Sequence, residues 1–301
     1  RNLIEPFDFS TEELTRIFDL ADEIIRRPGE WLDSCRGKLL ATLFYEPSTR
    51  TRFSFEAAML RLGGQVIGFD DPGTSSTAKG ETLADTIRTI ACYADIAVIR
   101  HPREGTARLA SKYTEMPVIN AGDGGHQHPT QTLLDLYSIK KTQGRLDNLH
   151  VAMVGDLKYG RTVHSLVIAL CNYNTTFHLV SPMELKLPSS VKMHIKEKNL
   201  TYHQYTDMEE VISQVDVLYM TRIQRERFSD PLEYERIKNA YILQHHMIQD
   251  TRENFRVLHP LPRVNEIDIK VDESTKAYYF EQALNGVYVR QALMALILGV
   301  K

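Results

Sequence analysis

The chain has 301 residues, 36 Lys+Arg against 39 Asp+Glu, a net charge of −3, 43% hydrophobic residues and 25% charged residues. That mix excludes a collagen-like, low-complexity or disordered chain; the charge balance excludes a broadly basic nucleic-acid-binding surface but leaves room for a local basic pocket. The length predicts about two domains at roughly 150 residues each. Short apolar runs then alternate with helical periods. Ser10–Arg26 reads as a helix, with a capping box formed by Ser10 and Glu13. Strands are expected over Lys38–Tyr45, Gln65–Asp70, Asp95–Arg100 and Val118–Ala121, with helices over Thr82–Tyr93 and Thr130–Lys141. The same grammar resumes with strands His150–Gly155, Phe177–Ser181, Asp216–Thr221 and Arg256–His259. Helices Thr162–Cys171, Ser189–Lys198 and Met208–Gln214 fall among them, and a last helix covers Ala283–Leu298. Alternating strands and helices predict βαβ units and two α/β domains with parallel sheets. The polar stretch Thr142–Asn148 is the expected seam.

Three scattered cysteines, Cys35, Cys92 and Cys171, lack metal-ligand spacing and suit a reducing compartment. The longest apolar run, Ala292–Leu298, is too short to span a bilayer. The first residues carry no apolar signal core, and the absence of an initiator Met leaves a longer parent chain open.

Several polar segments follow predicted strands, where parallel α/β sheets bind ligands. Tyr45-Glu46-Pro47-Ser48-Thr49-Arg50-Thr51-Arg52 joins a strand to a helical pattern. Free backbone N–H groups, three hydroxyls and an Arg fork there suit an anion. An ordinary capped helix start with solvated arginines would look the same. Thr74–Glu81 is a polar loop with one lysine, Lys79, and on its own reads as plain flexible surface rather than as a site. Arg100 and His128 fall at further strand ends, where each could simply be solvated. Val154–Thr162 has glycines spaced somewhat like a dinucleotide turn but is not GxGxxG. Arg222 and Gln224 follow another strand end, and the charged tail after them reads as a solvated loop. In His259-Pro260-Leu261-Pro262-Arg263 two prolines fix the backbone and remove donors, which leaves carbonyls to face a ligand.

With these segments in register, the chain resembles aspartate transcarbamoylase catalytic chains of the aspartate/ornithine transcarbamoylase superfamily. The matching pieces are FYEPSTRTR (44–52), SSTAKGETLADT (75–86), RHP (100–102), NAGDGGHQHPTQTLLD (120–135), VGDLKYGRTVHS (154–165), YMTRIQRERF (219–228) and HPLPRVNEI (259–267). The resemblance implies a carbamoyl-phosphate-binding domain over 1–144, completed by the C-terminal helix 283–301 packing back on it. It implies an aspartate-binding domain over 145–282 and the synthesis of N-carbamoyl-L-aspartate and phosphate. Ser48, Thr49, Arg50 and Thr51 would cradle the phosphate, and Arg100 would bridge phosphate and carbamoyl oxygen. His128 with Thr51 would polarise the carbonyl. Gln131 and the carbonyls of Pro260 and Leu261 would hold the carbamoyl amide. Arg161, Arg222 and Gln224 would clamp the aspartate carboxylates. Ser75 and Lys79 would reach a neighbouring subunit's site in a homotrimer with shared sites; Glu46 would pair with the clamp arginines on domain closure. Many bacterial members carry a second lysine where Ala78 stands, so Lys79 is the only lysine of that loop.

The resemblance implies carbamoyl phosphate and L-aspartate as small-molecule partners, with no metal, cofactor, nucleic acid or membrane, in a cytoplasmic setting. It leaves regulatory chains and fusion partners open. Three alternatives compete. An ornithine transcarbamoylase shares the carbamoyl-phosphate motifs, but Arg161, Arg222 and Gln224 suit a dicarboxylate, whereas ornithine would want an acidic or thiol partner. A nicotinamide-dependent dehydrogenase would want a third glycine and an acidic ribose partner about 20 residues on. A non-catalytic phosphate-binding subunit would have no use for Gln131, the arginines and the lysine loop together.

Overall fold

The computed structural model describes residues 1–71, 73, 79–124, 128–223, 225, 228, 230–238 and 240–300. The chain divides into two compact units, Arg1–Leu134 with Leu284–Lys301, and Asp135–Ala283.

In the first unit, strands β1 (Leu39–Phe44), β2 (Gln65–Phe69), β3 (Ile96–His101) and β4 (Val118–Asp123) form a parallel sheet in the order β2-β1-β3-β4. The three strands β1, β3 and β4 are buried along most of their length, which explains their near-continuous apolar runs. Strand β2 lies at an edge and is largely exposed. Alternate residues Ala41, Leu43, Ala97, Ile99 and Val118 share one core with Ile87, Ala107 and Ala110. The flanking helices are α1 (Thr11–Arg26), α2 (Thr49–Arg61), α3 (Leu83–Ala91), α4 (Thr106–Ser111) and the start of α5 (Pro129–Gln143). The capping box of α1 forms as read: Ser10 Oγ accepts from the Glu13 amide and Glu13 Oε2 from the Ser10 amide.

In the second unit, β5 (His150–Val154), β6 (Thr176–Val180), β7 (Tyr202–Tyr205), β8 (Val217–Met220) and β9 (Arg256–Leu258) form a parallel sheet in the order β7-β6-β5-β8-β9. Its helices include α6 (Arg161–Leu170), α7 (Ser189–Glu197) and α8 (Pro231–Ile237). Ala152, Val154, Val180, Leu218, Met220 and Val257 pack with Phe255 and Tyr279 in its core.

The long final helix α9 (Tyr279–Leu298) begins in the second unit and ends in the first. Within the first unit Arg290, buried, donates from Nη1 to Ser54 Oγ of α2 (2.9 Å) and from Nη2 to Thr130 Oγ1 of α5 (3.3 Å), and it covers the Phe55 ring. The C-terminal helix therefore packs back on the first unit, as expected. Among the described residues no helix is long and apolar enough to cross a membrane.

Some expectations need correction. Met208–Gln214 is not an α-helix but a string of turns with bonds from Val211 and Ile212 to the Met208 carbonyl. Its apolar spacing serves burial of Met208, Val211 and Ile212, which a string of turns satisfies as well as a helix. Strand β7 (YHQY) gave no apolar signal because it is a half-exposed edge. Helix α8 (Pro231–Ile237) was not among the expected elements. Its signal was present in Asp230-Pro231: the Asp230 side chain caps the Leu232 amide (2.8 Å) and Pro231 occupies the first turn.

One face of the second sheet carries a histidine ladder. His150 Nδ1 lies 3.1 Å from His178 Nε2, while His178 also neighbours His203 and stacks on Tyr205. Burial pushes His178 down to about 4, and the charges of His150 and His203 act in the same direction. The unfolded chain therefore takes up a proton near 6.5 that the folded chain refuses until about 4. Stability should be full above the upper limit and decline as pH falls between the two. His178→Phe should remove on the order of 2 kcal/mol of that acid sensitivity, read as the difference in denaturation midpoint between pH 7 and pH 4.5. Parallel pH profiles for the two proteins would contradict this.

Candidate active site

In the first unit the chain leaves β1 toward β2 on one side and β3 on the other, so the sheet order reverses between β1 and β3. Loops at the carboxyl ends of two such strands diverge and leave a crevice. Phe44 of β1 pairs in register with Arg100 of β3, and the Tyr45 amide donates to the Arg100 carbonyl (2.8 Å). The polar segment 45–52 and Arg100 thus share one sheet edge.

Helix α2 starts there. Ser48 stands at its N-cap but makes no side-chain cap bond, and no acidic residue lies in its first turn. Helix α1 is the contrast, with a capping box and two acidic residues at its start. Neither its N-cap side chain nor an acidic residue of its own first turn offsets the positive dipole end of α2. Thr49 and Arg50 are exposed, and Ser48 and Thr51 half-buried. The two arginines of this turn differ in exposure. Arg52 is engaged by Glu56 (2.7 Å) and Asp70, and Glu56 also accepts from Thr42 Oγ1 (3.1 Å). Arg50 stays exposed on the first turn.

Arg100 is largely withdrawn from water. Its Nε donates to Glu46 Oε1 (2.8 Å) and its Nη1 to the Ala121 carbonyl (3.3 Å). Burial lowers its affinity for the proton, and the Glu46 charge works in the opposite direction. Glu46 here pairs with Arg100 inside its own unit. Beside it, His101 is packed on the Tyr45 ring and accepts the Arg103 amide at Nδ1 (2.9 Å). Burial, followed by the Arg103 charge, lowers its pKa. At the end of β4, buried Asp123 accepts from the Gly105 amide (2.9 Å) and Asn120 Nδ2 (3.2 Å). His128 lies buried immediately before α5, and its carbonyl accepts the amides of Gln131 and Thr132.

The second unit repeats the device. Its sheet order reverses between β5 and β8, where Val154 pairs in register with Met220. Gly155 follows at φ +117°, and a Cβ there would collide with the Thr221 carbonyl oxygen, so only glycine lets the two strand exits run this close. The Gly155 turn leads to Asp156, which caps the Tyr159 amide (2.9 Å), and then to α6. Arg161 is the first residue of α6, behind a Gly160 N-cap that offers no side-chain oxygen. Arg222 lies two residues beyond β8; both arginines are half-buried. After β9 the chain forms the His259–Arg263 turn, with Leu261 at φ +54°.

Apart from Lys79, each expected site residue with a described position falls at a strand exit or helix start of its own unit. In the first unit these are Glu46, Ser48, Thr49, Arg50, Thr51, Arg100, His128 and Gln131; in the second, Arg161, Arg222, Pro260 and Leu261. Lys79 is exposed, between β2 and α3. Ser75 and Gln224 lie outside the described residues. Sequence reading missed Arg290, which links the α2 and α5 starts from α9, because nothing local marks a buried arginine inside an apolar helix.

Two parallel α/β units, each presenting arginines and uncapped helix donors at its switch point, define a two-domain α/β enzyme for anionic substrates. The comparisons make this specific. Residues 1–141 match the family described as aspartate/ornithine carbamoyltransferase, carbamoyl-P binding domain, and residues 147–297 its Asp/Orn binding domain. The aspartate carbamoyltransferase catalytic subunit of Clostridium acetobutylicum is 57% identical, over 100% of this chain and 98% of its own. The crystal structure of the catalytic subunit of M. jannaschii aspartate transcarbamoylase is 50% identical with a TM-score of 0.92, over 98% of this chain and 97% of its own. Aspartate transcarbamoylase from Trypanosoma cruzi, solved in complex with carbamoyl phosphate and aspartate, is 37% identical with a TM-score of 0.91, over 98% and 95%. The chain belongs to the aspartate/ornithine carbamoyltransferase family.

The Arg100–Glu46 pair sets a test. An anion that uses Arg100 must compete with the Glu46 carboxylate. Glu46→Gln should therefore tighten inorganic phosphate binding about fivefold by calorimetry, roughly 1 kcal/mol. Unchanged or weaker phosphate binding would show that Arg100 does not meet the anion.

Proposed function

We infer that this chain transfers the carbamoyl group from carbamoyl phosphate to the amine of L-aspartate, giving N-carbamoyl-L-aspartate and phosphate in de novo pyrimidine biosynthesis. The observation that carries the reading is the pair of switch points: Arg100 pairs in register with the strand end that leads to the α2 start in one unit, and Arg161 at the α6 start and Arg222 past β8 follow the paired exits of β5 and β8 in the other. Both offer cationic, donor-rich settings, which suits joining two anions. The domains follow, with 1–144 and 283–301 for carbamoyl phosphate and 145–282 for aspartate.

Ser48, Thr49, Arg50 and Thr51 hold the phosphate with the α2 amides. The aspartate amine attacks the carbamoyl carbon, the carbonyl oxygen takes on negative charge, and the bond to phosphate oxygen then breaks. Arg100, His128 and Thr51 stabilise that oxyanion, the kind of contact whose loss typically costs about 10²–10³ in rate. Gln131 with the Pro260 and Leu261 carbonyls holds the amide. Arg161 and Arg222, with Gln224, take the two carboxylates, and such forks favour a dicarboxylate over cationic ornithine. Glu46 exchanges Arg100 for the clamp arginines when substrates bind.

The chain works in the cytoplasm as a homotrimer in which Ser75 and Lys79 complete a neighbour's site. Support comes from exposed apolar surface on the first unit: Phe53 and Leu60, seven residues apart on α2, and Ile67 on edge strand β2. Such positions are suited to burial against a second copy.

Arg50→Ala should lower kcat for aspartate-dependent phosphate release by at least about 10²-fold with the circular dichroism spectrum unchanged; near-normal kcat would remove Arg50 from the phosphate cradle. Mixing Lys79→Ala chains with His128→Ala chains, each inactive alone, should restore part of the activity. No recovery after confirmed subunit exchange would contradict shared sites.

A further inference from the structure

We propose that the buried pair His259 and Glu266 is the positioning device that fixes the backbone carbonyls of Pro260 and Leu261 toward the carbamoyl amide; this rests on the carbamoyl-transfer reading above. Leu261 sits at φ +54°, a region that L residues other than Gly, Asn and Asp rarely enter. Something must hold it there. Its amide donates to His259 Nδ1 (2.8 Å). A backbone amide can only donate, so Nδ1 carries no proton and the imidazole proton is on Nε2. That nitrogen lies 2.7 Å from Glu266 Oε1 and donates to it. The other carboxylate oxygen, Oε2, accepts the amides of Val264 (3.0 Å) and Asn265 (3.1 Å), on the far side of the turn. The His259 amide donates to Gln282 Oε1 (2.9 Å), and Gln282 Nε2 in turn donates to Asp135 Oδ1 (2.7 Å), which ties the turn to α9 and α5.

His259 and Glu266 are 2% and 5% exposed, so the pair faces the loop rather than solvent. Burial alone would raise the Glu266 carboxyl; the bonds from His259 and the Val264 amide outweigh it and hold the group below its ordinary range. Pro260 and Pro262 have no N–H, and the one amide between them is held by His259. The turn therefore presents oxygens, as an amide ligand requires.

The test separates positioning from bulk stability by comparing two ligands. Asparagine's Oδ1 can replace Nδ1 and accept the Leu261 amide; glutamine can reach Glu266 but leaves that amide unmet. Calorimetry is run with a phosphonate amide analogue of carbamoyl phosphate and with inorganic phosphate. His259→Gln should weaken the amide analogue about tenfold while phosphate affinity stays within about twofold, and His259→Asn should restore most of the loss. Equal affinities in the two variants, or parallel losses for both ligands, would overturn the proposal. If wild type fails to bind the analogue more tightly than phosphate, the carbamoyl-phosphate reading falls and this proposal with it. Should both variants misfold, nitrogen NMR of the wild-type imidazole decides. An Nε2-protonated neutral ring supports the proposal, and an Nδ1-protonated ring or an imidazolium at pH 7 contradicts it.

Discussion

Parallel strand pairing is the constraint from which the rest of the molecule follows. In each sheet all strands point one way, so every strand empties its polar exit onto the same edge. Where the strand order reverses, two exits diverge, and those exits hold Glu46, Ser48 and Arg100 in one unit and Gly155, Arg161 and Arg222 in the other. The apolar runs of β1, β3, β5 and β8 are what bury the sheets. Polar groups and arginines sit at their ends because there they can leave the sheet without breaking the core.

Charge is sorted on the same principle. The chain is net acidic, and acidic groups pair with several of its arginines. Arg52 is held by Glu56 and Asp70, and Arg263 by Asp272. Arg100 is paired as well, and its carboxylate partner, Glu46, lies in the same polar segment, 45–52, as Ser48 and Arg50. A buried guanidinium needs a counter-charge, and Glu46 supplies it. The average charge of the chain conceals this arrangement completely.

What the sequence disclosed tracks what each residue does locally. Buried central strands, the Ser10–Glu13 capping box and the strand-exit motifs all carry their signal within a few residues and were legible. Strand β7 was silent because YHQY is an edge whose side chains are half in water. Met208–Gln214 misled because apolar spacing reports burial, and a buried string of turns shares that spacing with a helix. Arg290, Asp135 and Gln282 were invisible for another reason: their roles depend on partners 147 to 236 residues away. The His259–Glu266 pair lay inside a recognised motif, but only the three-dimensional path of the turn reveals that one ring nitrogen holds the Leu261 amide.

The most direct test of the account is acceptor selectivity. Phosphate release from carbamoyl phosphate is measured with the full chain in the presence of L-aspartate or L-ornithine, with product mass determined in parallel. The account predicts release coupled one-to-one to N-carbamoyl-L-aspartate with aspartate, and only background release with ornithine. Turnover supported by ornithine but not aspartate would contradict it.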